Sequence, residues 1–131
     1  MYLLDTNVCI ALMKGDRRAA LQFNRVFPQC YTTSIVVAEL YKGVFGSQQI
    51  QRNLQALEEL TTYLTVESFD LTAAEEFGRI QAELKQLGRP TGEIDALIAA
   101  VARSRSAILV TNNTRHFENI AHLQLEDWLK L

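Results

Sequence analysis

Three acidic residues stand in stretches where a carboxylate is hard to keep. Asp5 closes the apolar run Met1-Tyr2-Leu3-Leu4. Glu39 lies inside Ile35-Val36-Val37-Ala38-Glu39-Leu40, and Asp95 inside Ile94-Asp95-Ala96-Leu97-Ile98-Ala99-Ala100. Moving an ionised carboxylate out of water is unfavourable by several kcal/mol unless a cation or a set of donors offsets the loss. None of the three runs contains a Lys or Arg. Three unpaired acids in apolar surroundings point to a metal ion as their common partner.

Each acid also has an ordinary explanation. Asp5 could cap a helix beginning at Thr6 or Asn7, Glu39 could pair with Lys42 one turn on, and Asp95 could complement the helix dipole from the first turn. Helical geometry favours the shared site. At about 100° per residue, Glu39 falls near 40° from Ile35 and about 60° from Val36, which turns it toward the core. Asp95 falls roughly 60° from Ile98, at the edge of an Ile94/Ile98/Val101 stripe and beside the small Ala99 and Ala102, which leave room for an approaching group. Glu93 reads as an exposed helix-start acid.

The elements that must position these acids alternate between short apolar runs and helical periods. Residues 2–4 read as a buried strand, followed by helices over 7–13 and 17–26. Cys30-Tyr31-Thr32-Thr33 is a second strand, rich in β-branched and aromatic residues, and Ser34 is the expected N-cap of the helix that carries Glu39. A helix starts at Ser47, with Ile50, Leu54, Leu57 and Leu64 at helical spacing, and runs into a third strand over 63–66. Thr72-x-x-Glu75 predicts a capping box for a helix striped by Phe77, Ile80, Leu84 and Leu87 and stopped by Gly88 and Pro90. Thr91-Gly92 leads into a helix over Glu93–Ser104. Ala107-Ile108-Leu109-Val110 is a continuous apolar run of the kind covered on both faces, and Gln124-Leu125-Glu126 adds a last short strand. Strands separated by helices of this length imply a parallel sheet flanked by helices in one α/β domain, residues 1–131. In such a sheet ligands bind beyond the carboxyl ends of the strands. Asp5 and Thr111-Asn112-Asn113 both fall there, and Glu39 follows the second strand by about a turn and a half of helix.

Composition limits the classes available. The 131 residues, 48% hydrophobic, suit a single domain with a sizeable core. A net charge of −2 gives no bulk attraction to nucleic acid, and the thirteen Lys and Arg are scattered, so any nucleic-acid role must come from a local patch or a metal. Cys9 and Cys30 form no metal-type pair and read as buried free thiols, and His116 and His122 read as surface groups, so nothing suits zinc. Asp5 interrupts the N-terminal apolar run too early for a signal peptide. The longest apolar run, residues 96–102, is too short to span a bilayer. The expectation is a soluble cytoplasmic protein.

Leu4-Asp5-Thr6-Asn7, Ser34-x4-Glu39-Leu40, Gly92-x2-Asp95-x2-Ile98-Ala99-Ala100 and Leu109-Val110-Thr111-Asn112-Asn113-x3-Phe117, in this order and spacing over the whole chain, resemble the PIN domain. More narrowly they resemble the VapC toxins of bacterial type II toxin–antitoxin modules. The resemblance implies a PIN-like three-layer α/β fold with a short central parallel sheet, and a Mg²⁺- or Mn²⁺-dependent endoribonuclease. It implies Asp5, Glu39 and Asp95 as metal-binding catalytic carboxylates, tRNA or ribosomal RNA as the substrate class, a VapB-type antitoxin as partner, and a homodimer. The chemistry agrees: Mg²⁺ takes a few carboxylates and retains waters, and can acidify an attacking water while neutralising a scissile phosphate.

The segment after the fourth strand departs from the common pattern. Asn113 stands where many PIN domains have aspartate, and its amide oxygen brings no charge; Glu118 is the additional acid of that segment. Thr6 and Asn7 could orient Asp5 as hydrogen-bond donors or simply start the helix, Thr111 is placed as a further donor, and Arg115 is a candidate contact to an RNA phosphate that reads equally as a solvated surface group. Two other classes compete. A phosphatase of the haloacid dehalogenase type also begins with an apolar strand ending in Asp, but needs a second Asp two residues on, where this chain has Asn7. A non-catalytic PIN-fold module for RNA or protein binding would explain Asn113 but not the three intact acids.

Overall fold

The computed structural model describes residues 1–130; Leu131 lies outside the described residues. Five parallel strands form one sheet in the order β3-β2-β1-β4-β5. They are β1 (Tyr2–Leu4), β2 (Cys30–Thr33), β3 (Thr65–Glu67), β4 (Ile108–Val110) and β5 (Gln124–Glu126). The registers are Leu3 with Tyr31 and Leu109, and Leu4 with Val110.

Six helices connect the strands: α1 (Thr6–Met13), α2 (Arg17–Val26), α3 (Ser34–Phe45), α4 (Ile50–Tyr63), α5 (Leu71–Leu87) and α6 (Glu93–Ser104). Successive strand residues point to opposite faces. Leu3 with Leu4 and Leu109 with Val110 are all fully buried, so both faces of the central strands are covered. Around them α1 packs with α2, α3 and α4, while α5 packs along α6, which also touches α3.

The chain adds strands in one direction through β3, then returns to place β4 on the other side of β1. A topological switch point therefore lies between β1 and β4, and this is where an open parallel sheet leaves a crevice at its carboxyl edge.

Several local boundaries differ from the sequence expectation. Thr33, not Ser34, occupies the cap position of α3, without a side-chain bond; the extended backbone of β2 runs on to that residue, so Ser34 is already helical. Asp70, not Thr72, caps α5 by accepting from the Ala73 amide at 2.9 Å, because an aspartate one residue before the helix reaches the third amide directly. The helix placed from Ser47 begins at Ile50; the Ser47 hydroxyl instead donates back to the Val44 carbonyl at 2.6 Å and accepts from Asn53. The third strand is Thr65–Glu67, a little later than expected. Ile94 is 44% exposed and lies off the buried stripe, which is made by Ala96, Ile98, Ala99 and the residues after them.

Candidate active site

Asp5 follows β1 directly, and its backbone amide donates to the Val110 carbonyl of β4 at 2.9 Å. This bond extends the β1–β4 ladder by one step and fixes the side chain in the crevice between the two strands. Asp5 is 4% exposed. Its carboxylate accepts from the Thr6 amide at 2.8 Å and from the Thr111 hydroxyl at 2.7 Å. The Thr111 hydroxyl in turn accepts from the Asn113 amide at 3.0 Å, so its proton is directed at Asp5. Thr32 supports the same strand end by donating to the Leu4 carbonyl at 2.8 Å. Asp5 also caps α1 through the Thr6 amide; the capping and site roles coincide in one residue.

Glu39 is half-buried on α3, and its carboxylate accepts from the Thr6 hydroxyl at 2.6 Å. Thr6 thus touches two acids, one through its backbone and one through its side chain. Asn7 is not among the hydrogen-bond partners of Asp5. Asp95, in the first turn of α6, meets His116 with Oδ2 3.0 Å from Nδ1. None of the three acids is in the ion pairs that Lys or Arg form among the described residues; the single cationic neighbour is His116 when protonated.

Burial pushes the Asp5 carboxyl above its ordinary value. The Thr111 and Thr6 bonds pull it back in part, and the nearby Asp95 and Glu39 charges add to the rise. Of the four segments expected to share one pocket, the Thr111 segment bonds Asp5 directly, and the Glu39 and Asp95 segments lie near enough for their charges to act on it. Among the described residues, however, no three carboxylate, imidazole or thiol groups stand close enough to ligate one ion by themselves. A donor set of hard oxygens with two acids bearing on a buried third fits a Mg²⁺-type ion, which binds through one or two carboxylates and keeps several waters rather than needing an all-protein cage. It does not suit a thiophilic metal. Burial raises the Cys9 thiol to about 12 and the Cys30 thiol to about 11, so both stay protonated.

The remaining candidates lie on the segment after β4. Asn113 is half-buried and opens a single 3-10 turn, Thr114–His116. Arg115 and Glu118 are exposed. His116 was expected as a surface group; its ring is 55% exposed, yet it is held against Asp95. Its position in sequence gave no sign of this, because the contact spans 21 residues and depends on how the loop after β4 folds over α6.

Comparisons with known proteins place the chain in a family. The PIN domain model matches residues 2–123. The chain is 41% identical over 128 residues to a tRNA(fMet)-specific endonuclease VapC of Shigella flexneri, covering 97% of each. It is 40% identical over 129 residues to the ribonuclease VapC2 of Haemophilus influenzae, covering 98% of each. Among solved structures it superposes on VapBC of Salmonella typhimurium bound to DNA, with a TM-score of 0.93, 38% identity and 97% of each chain covered. It also superposes on VapBC2 of Rickettsia felis bound to a promoter DNA fragment, with a TM-score of 0.92, 32% identity and 97% and 98% covered. The chain belongs to the PIN-domain family and, within it, to the VapC group.

Proposed function

We propose that this protein is a divalent-metal-dependent endoribonuclease and the toxin of a type II toxin–antitoxin pair. The observation that carries the reading is the placement of Asp5 at the β1–β4 switch point, buried, with Glu39 and Asp95 acting on it and, among the described residues, no Lys or Arg paired with any of the three. Asp5, Glu39 and Asp95 would hold the ion, directly or through its waters. When bound, Mg²⁺ or Mn²⁺ supplies an acidified water and charge neutralisation at the scissile phosphate.

The protein's own part is positioning. Thr111 and the Thr6 amide fix both oxygens of Asp5, the Thr6 hydroxyl holds Glu39, and His116 holds Asp95. The donors to Asp5 favour its ionised form, which is the form a cation needs, against a burial that disfavours it. Asn113 and Glu118 are further oxygen donors on the same loop, and a second ion is not required by this arrangement.

The VapC relatives support transfer RNA, with initiator tRNA first, as the substrate class, and the VapBC complexes support a small VapB-type antitoxin as partner. We expect a homodimer. No helix among the described residues is long and apolar enough to cross a membrane.

The test is cleavage of initiator tRNA by the purified chain with Mg²⁺ or Mn²⁺, with EDTA, and by Asp5→Asn. Cleavage that needs the ion and the carboxylate is expected. Cleavage persisting in EDTA would remove the metal mechanism. No cleavage of any tRNA or ribosomal RNA with either ion would favour a non-catalytic module.

A further inference from the structure

Asp95 lines a cavity of about 370 Å³ whose walls do not include Glu39. Two segments form its walls. One is the turn after α5, with Arg89, Thr91 and Gly92; the other is the loop after β4, with Arg115, His116 and Asn119. A Schellman motif sets the first segment: Gly88 is left-handed at φ 65, its amide donates to Lys85, and the Arg89 amide donates to the Leu84 carbonyl at 3.0 Å. Pro90 then limits the backbone further. The Thr91 hydroxyl donates to the His116 carbonyl at 2.7 Å, which latches the two segments together. The cavity is therefore built by backbone and side-chain bonds.

Its charge stands out against the rest of the molecule. Among the described residues, the arginines that form ion pairs are Arg18, Arg79, Arg103 and Arg105. Arg89 and Arg115 are not among them, although Asp95 lines the same cavity and turns to His116 instead. Two exposed arginines without an ion pair among the described residues line one cavity, in a chain of net charge −2, and together make a local basic spot at the edge of a cluster of acids. The groove on the Glu39 side is different in kind, lined by Ile10, Met13, Leu40 and Val44 with a single cation, Lys14.

We propose that the Arg89/Arg115 cavity is the subsite for a backbone phosphate of single-stranded RNA next to the cleaved bond, so that the substrate strand leaves the carboxylates over the Asp95 side. The choice of RNA as ligand rests on the ribonuclease reading; the anion site itself rests on the cavity. The guanidiniums hold phosphate oxygens, and the Thr91 latch keeps the two arginine-bearing segments at a fixed spacing.

The test is a titration of a short fluorescein-labelled single-stranded RNA with the full chain in EDTA, over a series of salt concentrations. Arg89→Ala and Arg115→Ala should each weaken binding about fivefold and flatten the slope of log Kd against log salt by about 0.7, the effect of one lost phosphate contact. Arg89→Lys should keep the slope, and Arg17→Ala, an exposed arginine outside the cavity, should match wild type. With Mg²⁺, Arg89→Ala should raise KM for initiator tRNA and leave kcat in place. Alanine variants at 89 and 115 that bind RNA like Arg17→Ala would overturn the subsite, as would variants that lose only antitoxin binding. If the variants weaken RNA binding as expected but wild type cleaves nothing, the subsite stands and the ribonuclease reading fails. Wild-type cleavage with unchanged KM in Arg89→Ala gives the reverse.

Discussion

Asp5 is where the residue-scale physics is sharpest, because its environment works against the charge that its chemistry requires. Burial raises its carboxyl above the ordinary 3.8, and two donors recover part of that rise. The folded chain thus holds the Asp5 proton more tightly than the unfolded chain does. Metal-free stability should fall as pH rises from the ordinary carboxylate range through the raised value, with the full loss present above it. Asp5→Asn removes that loss. Its amide can still accept from Thr6 and can donate to Thr111, whose oxygen has a lone pair to spare. We predict that metal-free Asp5→Asn melts higher than wild type at neutral pH, that the gap closes as the pH is lowered past the ordinary carboxylate range, and that cleavage is lost. Melting curves over a pH series check the sign. Thr111→Val works in the opposite direction: the isosteric change strips a buried carboxylate oxygen of its donor and leaves the Asn113 amide without its acceptor. It should destabilise by about 2 kcal/mol and weaken cleavage, measured by urea unfolding beside an RNA assay. The three acids and Thr111 could be picked out as candidates from the sequence because each breaks an apolar pattern or follows a strand, and the bond between buried Asp5 and Thr111 joins two of them. His116 could not, since nothing local marks an exposed imidazole that a distant loop lays against Asp95.

At the scale of elements, the placement of Asp95 depends on how α6 is held to α5. Arg103, near the end of α6 and 8% exposed, donates to both oxygens of Glu83 at 2.8 and 3.0 Å and to Glu76 at 3.0 Å, all across to α5. It also donates to the Ala121 carbonyl at 3.1 Å. Arg103 holds Glu83 below its ordinary 4.5. That stabilisation is present above the ordinary glutamate range and is lost as pH falls through the depressed value. Glu83 is itself 44% exposed, so solvent screening limits the gain. Arg103→Met should cost about 2 kcal/mol near neutral pH and less in acid, where wild type loses the same bonds, while cleavage persists below the melting point. Urea unfolding at neutral and acid pH checks both statements. The helices themselves were legible from their stripes: Ile80 and Leu84 of α5 and Ile98 of α6 are buried as their spacing requires, whereas Leu87, the last member expected of the α5 stripe, is 61% exposed at the helix end. The caps were less so. Thr72-x-x-Glu75 satisfies the capping-box pattern, but Asp70 reaches the Ala73 amide first, and a pattern of residue types cannot decide between two eligible oxygens two positions apart. Ser47 shows the same ambiguity, since a serine that can start a helix can equally bond back to the end of the preceding one.

For the whole molecule, the strand order decides where these parts meet. The return of the chain from β3 to β4 places Thr111 beside Asp5, and α3, which carries Glu39, touches α6, which carries Asp95. The alternation of strands and helices was visible in the sequence, but the order β3-β2-β1-β4-β5 was not, because periodicity says how an element is covered and not which neighbour it pairs with. A fold assembled this way concentrates like charge at its switch point, and the same feature links stability to ion binding. The Asp95 and Glu39 charges act against the ionised Asp5 carboxylate, and the unfolded chain, in which the acids separate, does not bear that repulsion. An ion that binds the folded state alone relieves it and adds RT ln(1 + [L]/Kd), about 2.7 kcal/mol at a hundredfold excess over Kd. Mg²⁺ or Mn²⁺ should therefore raise the melting temperature of wild type in EDTA-treated protein, whereas Ca²⁺-free monovalent salt at equal ionic strength should do less. Asp5→Asn and Asp95→Asn should begin higher than wild type without the ion and respond weakly to it, so that the order of melting temperatures reverses or closes as Mg²⁺ is added. If Asp95 served only the helix dipole and the His116 contact, Asp95→Asn would melt lower than wild type in EDTA and still gain from Mg²⁺ as wild type does. That pair of curves would take Asp95 out of the metal site and leave Asp5 and Glu39 to hold the ion.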